Sequence, residues 1–289
     1  MITTLKTIDE LAQQRSEWAS WLAVVGTALE ELAHPAWQTV ALQRCATRER
    51  NAPLLANSTV EVDANAVRRI YERVMRNAAR VGTATMESLQ GAADAALDPL
   101  AVLEATINRD HERLMQHASD AHAEANAFSA VAALAAMPLL HACSRRRKPT
   151  VSDTWLQSYC PVCGGWPAFA EVRGIERTRY LRCAGCGSEW QAHGLRCTFC
   201  GTTDHEQLAS LIPESPAAGG SVEACNACLG FIKTFTTLRS FPGDQIVLHD
   251  IASTELDIAA VDRGYRRPTT IAYPLDVKVT DYAPANIAG

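Results

Sequence analysis

Four Cys-x-x-Cys pairs lie between residues 160 and 228: Cys160/Cys163, Cys183/Cys186, Cys197/Cys200 and Cys225/Cys228. Two residues between thiols let one tight turn aim both sulfurs at a single ion. Two such turns complete a tetrahedral thiolate shell, with metal–sulfur distances near ~2.3 Å for zinc. Eight ligands therefore predict two sites. The first ten residues hold one Lys, then Asp9 and Glu10, and no unbroken apolar run follows, so a cytoplasmic chain with reduced thiols is expected rather than a disulfide framework.

Nineteen residues separate Cys163 from Cys183, a spacing suited to two knuckles flanking a hairpin, so the first two pairs are expected to share a metal. The third and fourth pairs would share another, with Pro213, Pro216, Gly219 and Gly220 absorbing a longer gap of 24 residues. Interleaved or nested pairing uses the same ligands and stays open. Gly164, Gly187 and Gly201 each follow the second cysteine of a pair, where positive φ turns backbone N–H groups toward the sulfurs. The fourth pair is followed by Leu229, with Gly230 one place later, so a less regular turn and a more adjustable or labile site are expected there. An all-sulfur tetrahedron suits zinc or iron, spacing alone favouring zinc, and only iron offers redox change. A disulfide relay is disfavoured because no βαβ pattern accompanies the pairs. Lone Cys45 and Cys143 read as small buried residues.

With 289 residues, 47% hydrophobic, and 27 basic against 32 acidic residues, the chain reads as soluble and globular, not as a polybasic binder of nucleic acid or membrane surfaces. Its composition changes near residue 150. Residues 1–150 hold 32 Ala but 3 Gly and 2 Cys, whereas 151–289 hold 13 Gly and 8 Cys. In the first part Ile8, Leu11, Trp18, Leu22, Val25, Leu29 and Leu32 predict one helix of about seven turns ending near Pro35. Val67, Ile70, Val74, Ala78 and Val81 predict another, and Leu100, Leu103, Ile107 and Leu114 a third. The apolar run Ala127 to Leu140, too short for a bilayer at roughly 20 residues, belongs to a buried helix over about 121–141. A helical bundle is the simplest packing, serving as scaffold or binding surface. Arg145, Arg146, Arg147, Lys148 and Pro149 read as a solvated helix end and linker.

In the second part Ala168–Val172 and Thr178–Arg182 predict a hairpin with a cysteine pair at each end. Phe231–Thr237 is ambiguous between strand and helix, Ile246–Val261 reads as helical, and the tail from Arg263, with Pro268, Pro274 and Pro284, as irregular. Trp166 and Trp190 are expected to pack over the metal sites. His111-Glu112 lacks the second histidine of a metalloprotease helix, since Met115 stands there, and His111, His117 and His122 read as a polar stripe. His193 is not needed where four thiolates already complete each shell. No nucleophile elbow, Walker loop or dinucleotide-binding glycine pattern is present, so an enzyme is not expected.

The words around the cysteines resemble the formate dehydrogenase accessory protein family, FdhE. They are Tyr159-Cys160-Pro161-Val162-Cys163-Gly164 with Pro167, Arg179-Tyr180-Leu181-Arg182-Cys183-Ala184-Gly185-Cys186 with Glu189-Trp190, and Cys197-Thr198-Phe199-Cys200. Glu223-Ala224-Cys225-Asn226-Ala227-Cys228 with Lys233, and Gly264-Tyr265-Arg266-Arg267, extend the likeness over roughly 155–267. The resemblance implies a cytoplasmic factor needed for active respiratory formate dehydrogenase, binding its catalytic subunit before export and not oxidising formate itself. It also implies iron in two mononuclear rubredoxin-like sites held by the eight cysteines. Departures fall near the fourth pair: Ser221 and Val222 replace a basic lead-in, Asn226 an acidic residue and Phe231 a tyrosine, while His249-Asp250 replaces an acidic pair.

The expected fold is thus α+β in parts: an α-helical domain at 1–150, then a β-rich domain at 151–289 with two rubredoxin-like or zinc-ribbon-like sites, a helix and an irregular tail. The alternatives are a zinc-ribbon nucleic-acid binder, weakened by 11 basic against 15 acidic residues in 151–289, and a rubredoxin-like electron carrier. No membrane insertion is expected, and a homo-oligomer stays open.

Overall fold

The computed structural model describes residues 7–44, 49, 51–81, 84–95, 97–146, 155–213 and 220–282. The chain divides into two compact units. One gathers Ile8–Arg50, Leu54–Arg146 and Pro274–Gly289, the other Asn51–Pro53 and Arg147–Tyr273 with the first residues of the chain.

The first unit holds helices α1 (Ile8–Gln14), α2 (Ala19–Glu31), α3 (Ala64–Val81), α4 (Ala84–Glu87), α5 (Leu89–Asp94), α6 (Pro99–Asn108), α7 (His111–Asp120) and α8 (Ala125–Arg145). The single helix expected at the start is two, because Arg15 leaves helical geometry at φ −136° and ψ 75° and a short 3₁₀ turn, Ser16–Trp18, intervenes. A second break separates α6 from α7, where Arg109 adopts left-handed φ 55° and Asp110 caps the new helix by accepting from the Arg113 N–H at 3.1 Å. His111 therefore opens α7 while His122 lies beyond its end.

Helix α8 is long and apolar enough to cross a bilayer by length and composition, longer than the run read from sequence, yet most of it is buried in protein. It packs against α2, α3, α6 and α7, with Phe128, Val131, Ala135 and Leu139 fully enclosed. Cys143 is buried on it, as expected. Arg146 follows it and donates to the Gln38 carbonyl, whereas Arg147, Lys148, Pro149 and also Cys45 lie outside the described residues.

This unit also contains strands, which the helical reading omitted. β1 (Ala41–Arg44) pairs antiparallel with β2 (Ser58–Val62). β2 pairs in parallel with the last strand, Val277–Asp281. The tail is thus not irregular throughout: Val277 and Val279 turn inward while Lys278 and Thr280 face out, the alternation of a half-buried strand. Asn108 fixes it by exchanging hydrogen bonds with the Val277 backbone at 2.8 and 2.9 Å.

The second unit is built on six strands: β3 (Phe169–Arg173), β4 (Thr178–Arg182), β5 (Glu189–Ala192), β6 (Leu208–Leu211), β7 (Gly220–Cys225) and β8 (Phe231–Thr237). Their spatial order is β5-β4-β3-β8-β7-β6. All neighbours are antiparallel except β3 and β8, aligned Phe169 to Lys233 and onward. The sheet is two copies of one pattern, knuckle–hairpin–knuckle–strand, joined through the parallel pair. The expected hairpin is β3–β4, and the ambiguous Phe231–Thr237 is a central strand. The helix expected over 246–261 is interrupted into α9 (Ile246–Ala252) and α10 (Thr254–Val261). Ser253 marks the break, its hydroxyl bonding the His249 and Asp250 carbonyls at 2.8 and 3.1 Å. Phe169, Phe231, Phe235, Phe241, Ile246 and Leu256 form the core between sheet and helices. The final strand, Val277–Asp281, is β9.

Candidate metal centre

The sheet pattern brings the eight paired cysteines into two groups of four, Cys160/Cys163/Cys183/Cys186 and Cys197/Cys200/Cys225/Cys228. Within each group all sulfurs lie within 4.8 Å of one another. The grouping is the sequential one. In the first group the first knuckle leads into β3 and the second leaves β4; in the second group the third knuckle precedes β6 and the fourth leaves β7. A hairpin returns the chain to its start, so the two knuckles at its open end meet.

All four knuckles share one backbone. The N–H groups of Cys160, Cys183, Cys197 and Cys225 each donate to the carbonyl five residues on, at 2.8 to 3.0 Å. The fourth residue after each of these takes left-handed φ: 64° at Gly164, 70° at Gly187, 76° at Gly201 and 58° at Leu229. The fourth turn is therefore as regular as the others, contrary to expectation. Leu229 accepts the conformation that glycine takes freely elsewhere. Gly230 is required for another reason, since a Cβ there would stand 2.7 Å from the Phe199 ring.

The donor sets fit a tetrahedral ion. Four sulfurs at ~2.3 Å from a metal stand about 3.8 Å apart. The observed separations are 3.4 Å for Cys160–Cys186, 3.6 Å for Cys163–Cys183, and 3.7 Å for both Cys197–Cys228 and Cys200–Cys225. A disulfide needs about 2.05 Å. The N–H groups of Val162, Phe199 and Gly230 each donate to the sulfur of the cysteine two places earlier at 3.4 Å. Such donors favour thiolate over thiol. Both groups could hold a metal ion.

Their surroundings differ. Every cysteine of the first group is buried, and desolvation pushes the Cys160 and Cys186 thiols well above the ordinary thiol range. In the second group Cys200 is exposed and Cys228 half-buried. Desolvation raises the Cys228 thiol to about 12. At Cys200 the smaller burial penalty is outweighed by the Thr202 N–H and neighbouring thiols, which hold it below the usual value.

Aromatic residues of the words quoted above have defined partners. Trp190 is buried and donates to the Gln157 carbonyl at 3.0 Å. Trp166 spans between knuckles, its ring edge-on to Phe199 at 5.4 Å and its N–H on the Thr270 carbonyl. Tyr265 bonds Asn226 of the fourth knuckle at 2.7 Å, and the Arg266 N–H donates to the Leu229 carbonyl at 2.8 Å. Among the described residues no histidine joins either group, His193 included. A cavity of about 1370 Å³ beside α2 and α3 is lined by arginines, acids and apolar residues without a cysteine.

Lys233, Arg182 and Arg267 stand in the words quoted above with no role that the sequence assigns. Lys233, fully buried on β8, contacts Asp250 at 2.6 Å and Asp257 at 2.7 Å, and Arg267 meets the same two carboxylates at 2.9 and 2.7 Å. Arg182 pairs with buried Glu171, which also takes Arg173 at 2.6 Å; Arg173 in turn reaches Glu189 at 2.6 Å. These clusters tie the sheet to α9, α10 and the loop after β8. No local pattern marks them, because the partners lie up to 24 residues apart, as with Lys233 and Asp257.

Residues 159–193 match the family described as FdhE, central domain. The FdhE homolog of Stutzerimonas stutzeri is 33% identical over 114 residues, 38% of this chain and 36% of that protein. The homolog of Aquifex aeolicus is 31% identical over 116 residues, 39% of this chain and 40% of that protein, and FdhE of Escherichia coli is 31% identical over 113 residues, 38% and 36%. Each match thus spans less than half of the relative. The crystal structure of FdhE from Pseudomonas aeruginosa shares the fold at a TM-score of 0.56 and 20% identity, covering 94% of this chain and 99% of that one. The chain is thus similar to the FdhE proteins over little more than a third of its length, with the match to the FdhE central domain at residues 159–193.

Proposed function

We propose that this protein is a metal-holding accessory factor for formate dehydrogenase, acting in the cytoplasm on the catalytic subunit before export rather than as an enzyme. The observation that carries the reading is the pair of four-sulfur groups, set at tetrahedral spacing, the first of them inside the stretch 159–193 that matches the FdhE central domain. Cys160, Cys163, Cys183 and Cys186 would hold one ion, and Cys197, Cys200, Cys225 and Cys228 the other. Bound iron would supply a one-electron couple, whereas zinc would act only as a clamp.

The chain's own residues do the rest. The knuckle N–H groups steady the thiolates, burial excludes water from the first cage, and the paired charges behind β3 and β8 fix the sheet that carries both. The result is a rigid surface that a client enzyme can recognise. Iron is favoured over zinc by the family resemblance. Protein purified without oxygen should carry two irons per chain and develop a sulfur-to-iron charge-transfer band on oxidation. It should also co-purify with an immature dehydrogenase catalytic subunit. Two zincs and no band would remove the redox part, and failure to retain the subunit would remove the accessory role.

A further inference from the structure

The two cages have the same ligands and the same knuckle backbone, so a difference in how they hold a metal must come from access and strain. In the first, all four cysteines are at most 3% exposed. Its knuckles are covered: a Cβ at Gly164 would stand 3.1 Å from Tyr273 and 3.2 Å from Pro53, and one at Gly243 would stand 2.9 Å from the Gly187 carbonyl oxygen. In the second, Cys200 faces solvent and Cys228 is partly open. Beside it lies a cavity of about 250 Å³, lined by Cys197, Phe199, Cys225 and Ile232 among others. Its fourth knuckle holds Leu229 in the left-handed region with the side chain 41% exposed, and nearby Leu195, 87% exposed, is also left-handed at φ 50°. Leucine is strained there, and the exposed side chains recover little by packing. The Arg196 guanidinium lies against the third knuckle, donating to the Gly201 carbonyl at 3.1 Å, and places positive charge where an anionic ligand would arrive.

We propose that the second cage is an exchange site, taking up and giving up its metal by thiolate exchange at Cys200, while the first cage keeps its metal permanently. The inference rests on the metal-holding reading above. In the exchange a bond from the metal to an incoming thiolate forms as the bond to Cys200 Sγ breaks; the incoming thiol has given up a proton and Cys200 takes one up. No electron moves. The incoming ligand is a soft thiolate, from a small thiol or from a cysteine of another protein.

The test uses the full chain loaded with two zinc ions under anaerobic conditions and challenged with a chromophoric chelator. Release is expected in two steps of one ion each, the first accelerated by glutathione or by a Cys-x-x-Cys peptide. Acceleration by the peptide alone would point to a protein source, and by glutathione to a small thiol; both support the proposal. Alkylation and mass mapping after the first step should mark Cys197, Cys200, Cys225 and Cys228 and leave the first four cysteines protected. Leu229→Gly, which removes the strain, should slow the first step about fivefold and leave the second unchanged. A single release step, insensitivity to both thiols, or earlier labelling of Cys160 and Cys163 would overturn it. A chain that takes up no zinc would instead remove the metal-holding reading itself.

Discussion

The two units bury different chemistry. In the helical unit the buried polar side chains are few, Thr27, Glu31, Ser58 and His141, among dozens of enclosed Ala, Leu, Val and Ile. In the knuckle unit Glu171, Arg179, Arg182, Ser188, Thr198, Lys233, Thr234 and Ser253 are all buried, beside six of the eight paired cysteines. A helix carries its own backbone hydrogen bonds and needs only an apolar stripe to pack, which Ala-rich repeats provide. A six-stranded sheet of short strands with glycine turns has less apolar surface to bury, so charge pairs and sulfur cages must fix it. The helical unit is held by area, the knuckle unit by specific bonds.

Stripping the metal should separate them most sharply. A structural zinc site contributes roughly 10 to 16 kcal/mol, so a chelated chain should lose amide protection over 160–237 while α3 and α8 keep theirs in hydrogen exchange. Simultaneous loss in both units would erase the distinction. Next in size, Glu171→Ala leaves Arg182, 2% exposed, without its buried partner, and should cost about 3–5 kcal/mol in the knuckle unit's unfolding. A loss below 1 kcal/mol would show that the sheet does not depend on that cluster.

A cavity mutation gives the counterpart in the helical unit. Leu139→Ala, at a fully buried position of α8, should cost about 2–5 kcal/mol and leave metal stoichiometry untouched. Metal loss in that variant would break the comparison. The smallest effect concerns His249, stacked on Phe241 at 3.8 Å, whose pKa burial lowers to about 4, with Arg182 adding to the fall. Between pH 6.5 and 4 the unfolded chain binds a proton there that the folded chain refuses. Stability should therefore be full above about pH 6.5 and decline toward pH 4, by about 1–3 kcal/mol. His249→Phe should flatten that part of the profile in urea titrations; an unchanged slope would assign it to other groups.

Much of the molecule was legible because its causes are local. The 3.6-residue spacing of Val67, Ile70, Val74 and Ala78 matches the buried face of α3, and the Thr178–Arg182 strand lies where alternation and turn residues put it. The helix breaks at Arg15, Arg109 and Ser253 were less visible, since apolar spacing continues across them while the backbone does not. β2 and β9 did alternate, Ser58-Thr-Val-Glu-Val and Val277-Lys-Val-Thr, but the prolines near β9 argued against order. Their parallel pairing joins residues more than 200 positions apart, and no local signal encodes that.

Four Cys-x-x-Cys turns and their eight thiols are legible in the sequence alone, whereas which pairs meet is not. Long-range packing sets which pairs meet and what surrounds them. It placed Tyr273, Pro53 and Gly243 over one cage, left Cys200 of the other at the surface, and closed Lys233 and Glu171 within paired charges. The reason is range: a knuckle closes over six residues through its own hydrogen bonds, whereas burial and ion pairing depend on strands and helices brought together from distant parts of the chain.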